Sequence, residues 1–552
     1  MKLTLTKKLA LFTASLVMAL SASAQGQLSA AAQQMRQQQP EFTPETKLRY
    51  ADRIIENFYV DSVDTDKMVE QAIIAMLKTL DPHSLYSDPD ETRELTTPLE
   101  GNFSGIGIQF NMLNDTLYVV QTTSGGPSEK VGILPGDRII KANETELAGK
   151  KLPNSEILRT LRGEKGTQVD LTVLRRGEQE PLIFSVVRDD IPVHSVDAYF
   201  MADPTTGYVR ISRFAENTDE ELGEALAALK KQGMKNLIID LEDNGGGYLG
   251  AATAIANRFL PKGSPIVYTD SPRQGVTNYK AEHNGEFTDG RIVVMVNQYS
   301  ASASEILSGA IQDNDRGLIV GRRTFGKGLV QRPFPLPDGS MIRLTVSRYH
   351  TPSGRCIQRP YEAGNPEEYD LDIKNRYDHG EFMSADSIHF PDSLRFETLH
   401  LKRPVYGGGG IMPDLFVPLD TTHYSDYYRD LVAKGVVNNY AITYVDDHRK
   451  ELKKQYPTEK SFIDNFQVTP AMIDGIVKLA ESRGIKPNPE GLEISRPHIA
   501  TIVAGIIGRD LFDNATYYKV VYPKVNNEYR AALDLINDPA RYKQLLSAPS
   551  GK

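Results

Sequence analysis

At 552 residues the chain is too long for a single hydrophobic core and should divide into roughly two to four domains. Its 40% hydrophobic and 24% charged residues are ordinary for a soluble globular protein. A net charge of −9 lacks the basic excess that nucleic acid would demand of a partner, so no nucleic-acid partner is expected.

The first elements concern targeting. MKLTLTKK supplies positive charge, LALFTASLVMAL is an apolar run too short to span a bilayer, and Ala22-Ser23-Ala24 is an A-x-A site. This order predicts an export signal cleaved after Ala24, with the periplasm as the expected compartment. No cysteine follows the site, so no lipoprotein anchor is expected, and no later segment reads as a transmembrane segment. The single cysteine, Cys356, cannot form an internal disulfide and reads as structural, since no histidine stands near it.

Residues 25–45 are polar, Gln-rich and bounded by prolines, and read as a flexible lead-in. Residues 46–100 read as an N-terminal helical region, with Met68, Ala72, Ile73, Met76 and Leu77 at helical spacing. Residues 101–190 carry short strands between turn signals: Gly105 to Phe110, Thr116 to Thr122, Asp137 to Asn143 and Val169 to Arg176. A short helix carrying Ile157, Leu158 and Leu161 is expected between the last two. GIGI, then GGPSEKVGILPGDRIIKANE, then LRGEKGTQV resemble a PDZ domain. The resemblance implies that a substrate's C-terminal tail is held by Gly105, Ile106, Gly107 and Ile108. Backbone N–H groups there would meet a carboxylate, and the strand edge would take the peptide as an added strand.

From residue 191 to 417 strands and helices alternate, which is α/β order. After about Pro418 the chain turns helical again, up to residue 552. The acidic, Tyr-rich stretch Glu367 to Asp392 has no clear place in this pattern.

Two stretches of the α/β region carry chemistry. GRRTFGKG, Gly321 to Gly328, is one residue from a phosphate-binding loop, but Gly328 replaces the required hydroxyl and the prolines downstream forbid a long helix. Lys327 needs another role. Upstream, YSASASEILSGAIQD follows a buried strand, so a serine there sits on a strand-to-helix turn among helix-start N–H groups, as a nucleophile requires. Serine needs a base, and none of His194, His283 and His350 stands in a triad context. A lysine serves if burial lowers its pKa, and Phe325, Leu329 and Val330 make apolar surroundings for Lys327.

Together, NQYSASASEILSGAIQDNDRGLIVGRRTFGKGLVQ resembles the core of the carboxyl-terminal processing peptidases, or tail-specific proteases. Matching stretches run from LDPHSLY (Leu80 to Tyr86) to GGIMPD (Gly409 to Asp414). The resemblance implies a mixed α/β peptidase core with some α+β character, an inserted small β-rich PDZ domain, and helical N- and C-terminal regions. It implies Ser302 as nucleophile, Lys327 as base, Gln331 as the partner of the lysine, and no metal or organic cofactor. Where the family has DLR-x-N-P-G-G-L, this chain has DLEDNGGGYLG, with Glu242, Gly245 and Tyr248 departing from the pattern. Gly246 or Gly247 is expected to give one backbone donor to the oxyanion and Ala303 the other; three glycines in a row leave the register open. The arginine of the family's RG-x-x-G turn, here Arg162, is implied to link PDZ domain and core as a regulatory contact.

The resulting expectation is an exported serine endopeptidase acting near C-terminal tails of protein substrates through a covalent acyl-enzyme. The alternative is a non-catalytic PDZ adaptor or chaperone on an inactive peptidase fold. The substrate stays open, as do homodimer formation and the role of the C-terminal helices.

Overall fold

The computed structural model describes residues 43–113 and 115–547. The expected export signal and most of the lead-in fall outside the described residues. Contacts divide the chain after Met76 into two units. The first contains α1 (Pro44–Phe58), capped by the Thr43 hydroxyl, and most of α2 (Thr65–Lys78).

The second unit opens with β1 (Leu85–Ser87) and α3 (Pro89–Glu100), then β2 (Asn102–Gly105), β3 (Ile108–Met112), β4 (Leu117–Thr122) and β5 (Arg138–Ala142). The helix α4 (Asn154–Leu161) precedes β6 (Gln168–Leu174), β7 (Leu182–Val187) and β8 (Asp189–Pro192). Strands β3 to β7 form one antiparallel sheet in chain order, with β3 at its edge. β2 and β8 pair separately as a two-stranded neck through which the chain enters and leaves this module. The strand expected over Gly105 to Phe110 is thus two strands. Gly107, at φ +71°, turns the chain between them, and a Cβ there would lie 3.0 Å from the Ile191 side chain.

Next come β9 (Val196–Met201), β10 (Thr206–Ile211), α5 (Thr218–Lys231), β11 (Asn236–Asp240), α6 (Leu249–Asn257), β12 (Pro265–Ser271) and β13 (Gly275–Lys280). They are followed by β14 (Ile292–Val296), α7 (Ala303–Asp313), β15 (Leu318–Gly321), β16 (Leu329–Pro335), β17 (Met341–His350), α8 (Pro366–Asp378) and β18 (Leu415–Phe416). The central sheet runs β9-β10-β11-β14-β15-β18, parallel except for β9 with β10. Side chains alternate across it. Leu237, Ile239, Ile292 and Val294 join the core under α5, α6 and α7, while Ile238, Val293 and Met295 face the other way. Burial on both faces explains why β11 and β14 read as unbroken apolar runs.

That second face is covered from the far end of the chain. After α9 (Asp426–Ala433), α10 (Val436–Gln455), α11 (Glu459–Asn465), α12 (Pro470–Ser482) and α13 (Pro489–Leu511) come α14 (Asn514–Val525), α15 (Asn527–Asn537) and α16 (Pro539–Ser547). Tyr529, Ala532, Leu535, Ile536 and Tyr542 of α15 and α16 pack on the central sheet. The Tyr-rich stretch that the sequence left unplaced begins with α8 and continues in short helical turns over Ala385–Ser387 and Asp392–Leu394. No helix among the described residues is long and apolar enough to cross a membrane.

Candidate active site

Parallel strands leave their helix-bound loops at the carboxyl ends, and Ser302, Lys327, Gly246 and Gly247 lie on loops there. Three loops meet, following β11 (residues 241–248), β14 (297–302) and β15 (322–328). The last leads into strand β16, not into a helix, which removes the P-loop geometry for Lys327.

The serines of SASAS have different fates. The Ser300 hydroxyl is wholly buried; it donates to the Leu241 carbonyl at 2.7 Å and accepts from the Asn297 N–H. That of Ser304 is equally buried and donates to the Asn244 carbonyl at 2.8 Å. Both staple one loop to the next. Ser302 stands half-buried at the start of α7 with φ 56° and ψ −112°, a conformation that costs a non-glycine residue about 1–3 kcal/mol.

Two groups tie the backbone of Ser302 to that of Lys327. The Glu305 carboxylate, wholly buried one helical turn along, accepts at one oxygen from the N–H groups of Ser302 (2.8 Å) and Lys327 (2.9 Å). Its other oxygen accepts from the Thr324 hydroxyl (2.5 Å) and the Gly326 N–H (2.7 Å). Burial pushes this carboxyl up, yet every contact is a donor, so the ionised form is the one the pocket fits. The buried Tyr349 hydroxyl lies within hydrogen-bond reach of the carbonyls of both Lys327 and Ser302. Sequence reasoning missed both residues. A Glu three places after a helix-start serine reads as an ordinary exposed cap, and Tyr349 is brought in only by the pairing of β16 with β17.

The Lys327 ammonium is pushed down to about 8, first by burial and then by the charge of Arg343, with Glu305 and Asp81 opposing. His83 was also overlooked. Burial, followed by the charge of Lys327, pushes it down to about 3, so the imidazole stays neutral beside the amine. One of its ring nitrogens lies 2.9 Å from the Tyr369 hydroxyl of α8. The Gln358 side chain then connects Tyr369 (3.4 Å) to the N–H of Gly328 (2.8 Å). The three histidines weighed from the sequence lie elsewhere: His194 on Glu221, His283 on Asn257, His350 stacked on Tyr268.

Gln331 donates its amide hydrogens to the Leu329 carbonyl (3.1 Å) and the Thr345 hydroxyl (3.3 Å). Gly246, at φ +103°, presses on the nucleophile: a Cβ there would lie 2.8 Å from that of Ser302 and 3.0 Å from the Ala303 nitrogen. Its own N–H is taken by the Asn244 side chain at 2.9 Å. Gly247 aligns with Phe214 in a bridge whose bonds use the Gly246 carbonyl and the Tyr248 N–H. Among the described residues the N–H groups of Gly247 and Ala303 carry no hydrogen bond.

Glu242, where the family pattern has arginine, is buried. Its carboxylate accepts from Asn526, between α14 and α15, at 2.7 Å. Burial and the neighbouring Glu528, itself paired with Arg322, push the Glu242 carboxyl well up. Gly105 ends the β2 strand of the neck, Ile106 is buried in the module core, and Ile108 opens the edge strand β3, whose Ile108, Phe110 and Met112 pack against the core cluster that includes Ile157 and Leu161 of α4. Arg162, just past α4, lays its guanidinium over the Phe103 ring at 4.7 Å and leaves its Nε unpartnered. It lines a cavity of about 770 Å³ between α3 and α4, away from the Ser302 loop.

The model of peptidase family S41 matches residues 205–364, that of the PDZ domain 104–186, and that of the activating protease CtpB N-terminal domain 9–92. A family of unknown function matches 427–513. The chain is 37% identical over 305 residues to a carboxy-terminal-processing protease of Bartonella bacilliformis, covering 54% of this chain and 69% of that protein. It is 36% identical over 318 residues to carboxy-terminal processing protease CtpB of Bacillus subtilis, covering 57% and 65%. Among solved structures, photosystem II D1 C-terminal processing protease matches with 29% identity over 57% of this chain and 91% of that one, at a TM-score of 0.33.

Proposed function

Since the chain belongs to the carboxy-terminal processing proteases, serine-type peptidases of family S41 with a PDZ domain, we propose that it is an exported endopeptidase working through Ser302 and Lys327. One observation carries the reading. Ser302 is the hydroxyl of SASAS not spent on a neighbouring loop, and its backbone is held to that of Lys327 by Glu305 and Tyr349.

The chemistry follows from those positions. Neutral Lys327 Nζ takes the proton of Ser302 Oγ as the oxygen attacks the scissile carbonyl carbon. The carbonyl π-bond pair moves onto its oxygen, where the N–H groups of Gly247 and Ala303 meet the developing charge. The Gly246 N–H is occupied by Asn244, which favours Gly247 as the donor in this reading. On collapse the C–N bond breaks, the ammonium of Lys327 protonates the leaving amine, and an ester remains on Ser302. Water, deprotonated by the same amine, then releases the new C-terminus. Substrate tails would enter along the β3 edge over Gly105 to Ile108, and Gln331 would steady the amine. The signal before Ala24 would direct the chain out of the cytoplasm.

The test incubates the full chain, Ser302→Ala and Lys327→Ala with an unfolded protein bearing a free C-terminus, and maps products by mass. Cleavage by the parent and by neither variant is expected, with an ester adduct on the Ser302 peptide in quenched samples. Cleavage by Ser302→Ala would overturn the assignment. Tail binding without cleavage by the parent would favour an adaptor.

A further inference from the structure

We propose that Asp81 and Thr345 are positioning residues that fix which way the Gln331 amide faces, and so which atom it offers to Lys327. The proposal rests on the reading of Lys327 as the base and of Gln331 as its partner.

Asp81 belongs to the LDPHS loop, residues 80–84. β1 follows it and pairs with β17 in the register Leu85 to Arg343, which sets this loop beside Thr345. The carboxylate is nearly buried and can only accept. It takes the N–H groups of His83 (2.9 Å) and Ser84 (3.1 Å), the Ser84 hydroxyl (2.6 Å) and the Thr345 hydroxyl (2.9 Å). The Thr345 N–H is tied back to the Ser84 oxygen at 3.1 Å, which locks strand and loop together.

A hydroxyl has one proton. Thr345 gives it to Asp81, so toward Gln331 Nε2, at 3.3 Å, its oxygen can only accept. The Leu329 carbonyl, at 3.1 Å, takes the other amide hydrogen. Both hydrogens of Gln331 are thereby committed, and Oε1 is left as an acceptor without a partner among the described residues. A reversed amide would set Oε1 against the Leu329 carbonyl and against a hydroxyl whose proton points away. Two repulsive acceptor contacts would replace two hydrogen bonds. An acceptor-only group at Asp81 thus dictates, through one hydroxyl, that the atom Gln331 has left to offer is a carbonyl oxygen and not an NH₂, which is the atom an ammonium partnered by Gln331 would need. The polarity of this chain cannot be read from sequence, because Asp81, Gln331 and Thr345 meet only through the sheet register.

The experiment measures kcat and KM of the full chain for Thr345→Val, Thr345→Ser, Gln331→Ala and the Thr345→Val/Gln331→Ala double variant. Thr345→Val keeps the shape and removes the relay; kcat should fall about ten-fold with KM little changed, the effect of one hydrogen bond. Thr345→Ser should restore kcat. In the Gln331→Ala background, adding Thr345→Val should cost less than about two-fold, because the amide it orients is gone. Wild-type kcat in Thr345→Val overturns the proposal. So does an equal loss with and without Gln331, which is what a merely structural threonine gives. If Thr345→Val does not fold, as judged by melting and tail-peptide binding, the same cycle is run with Asp81→Asn, whose NH₂ reverses the polarity. Ser302→Ala runs alongside: activity there overturns the dyad itself, whereas an inactive Ser302→Ala beside a fully active Thr345→Val overturns the relay alone.

Discussion

The ionisation of Lys327 gives a prediction with two independent readouts. Burial and Arg343 bring the amine from 10.5 to about 8. At pH 7 roughly one molecule in ten then carries a free amine, against roughly one in three thousand for an ordinary lysine, a gain of roughly 300-fold in competent base. The rate constant kcat/KM on a fluorogenic peptide should therefore rise about ten-fold per pH unit up to about pH 8 and level off above it. The same shift costs stability. The folded chain releases this proton near pH 8 and the unfolded chain near 10.5. Between these values the unfolded state holds more protons, so stability rises with pH; below pH 8 the whole penalty is in force, about 3 kcal/mol. Lys327→Met removes the penalty with little change in volume, so at pH 7 it should be inactive and yet unfold at higher denaturant. By pH 10 the difference should shrink. A rate that is flat from pH 6, or a Lys327→Met variant less stable than the parent at pH 7, would refute the reasoning.

Gly246→Ala should lower kcat by at least about 100-fold, because a Cβ would press on Ser302 and the position requires φ +103°; near-normal rates would remove the loop from the site. Glu305→Gln turns an NH₂ toward buried N–H donors, each left unpaired at about 1–3 kcal/mol, so both activity and melting temperature should fall. A variant as stable as the parent would show that the carboxylate does not hold the two loops. Arg162→Ala loses its stacking on Phe103, in the neck between PDZ module and core. Turnover should drop while tail affinity, read by peptide titration of the full chain, stays within about two-fold; unchanged turnover would reduce Arg162 to a packing role.

What was legible in the sequence was local. A strand, a small-residue turn and a helix start single out the SASAS stretch, and a lysine between glycines beyond the next buried strand offers a candidate base, because each signal spans a few residues. Glu305, Tyr349, Asp81 and His83 stayed hidden because each has a decisive partner tens to hundreds of positions away, which only the tertiary fold brings near. Glu242 makes the point sharply. Read alone, a Glu where the family has Arg looks like damage to the oxyanion loop; in the fold its carboxylate meets Asn526, and nearby the core residue Arg322 pairs with Glu528 of the same C-terminal helices.

Those helices also explain a pattern that periodicity alone could not. In LYVVQT of β4, Leu117 and Val119 face the core of the PDZ module, whereas Tyr118 and Val120 enter the core built by α9 to α14. Arg138 pairs with Asp446 and Arg176 with Asp447 at 2.6 and 2.7 Å along the same contact. A strand buried on both faces loses the alternation that marks a half-exposed one. The unbroken apolar run was therefore itself a signal that something must cover the outer face of the module. The cover comes from more than 300 positions downstream, and α15 and α16 of the same helical region lie on the central sheet. One region thus packs on the PDZ module on one side and on the sheet that leads to Ser302 on the other. If tails are captured at β3 and cut at Ser302, as proposed, this region sets the distance between the two points and so belongs to the catalytic geometry without contributing a reacting group.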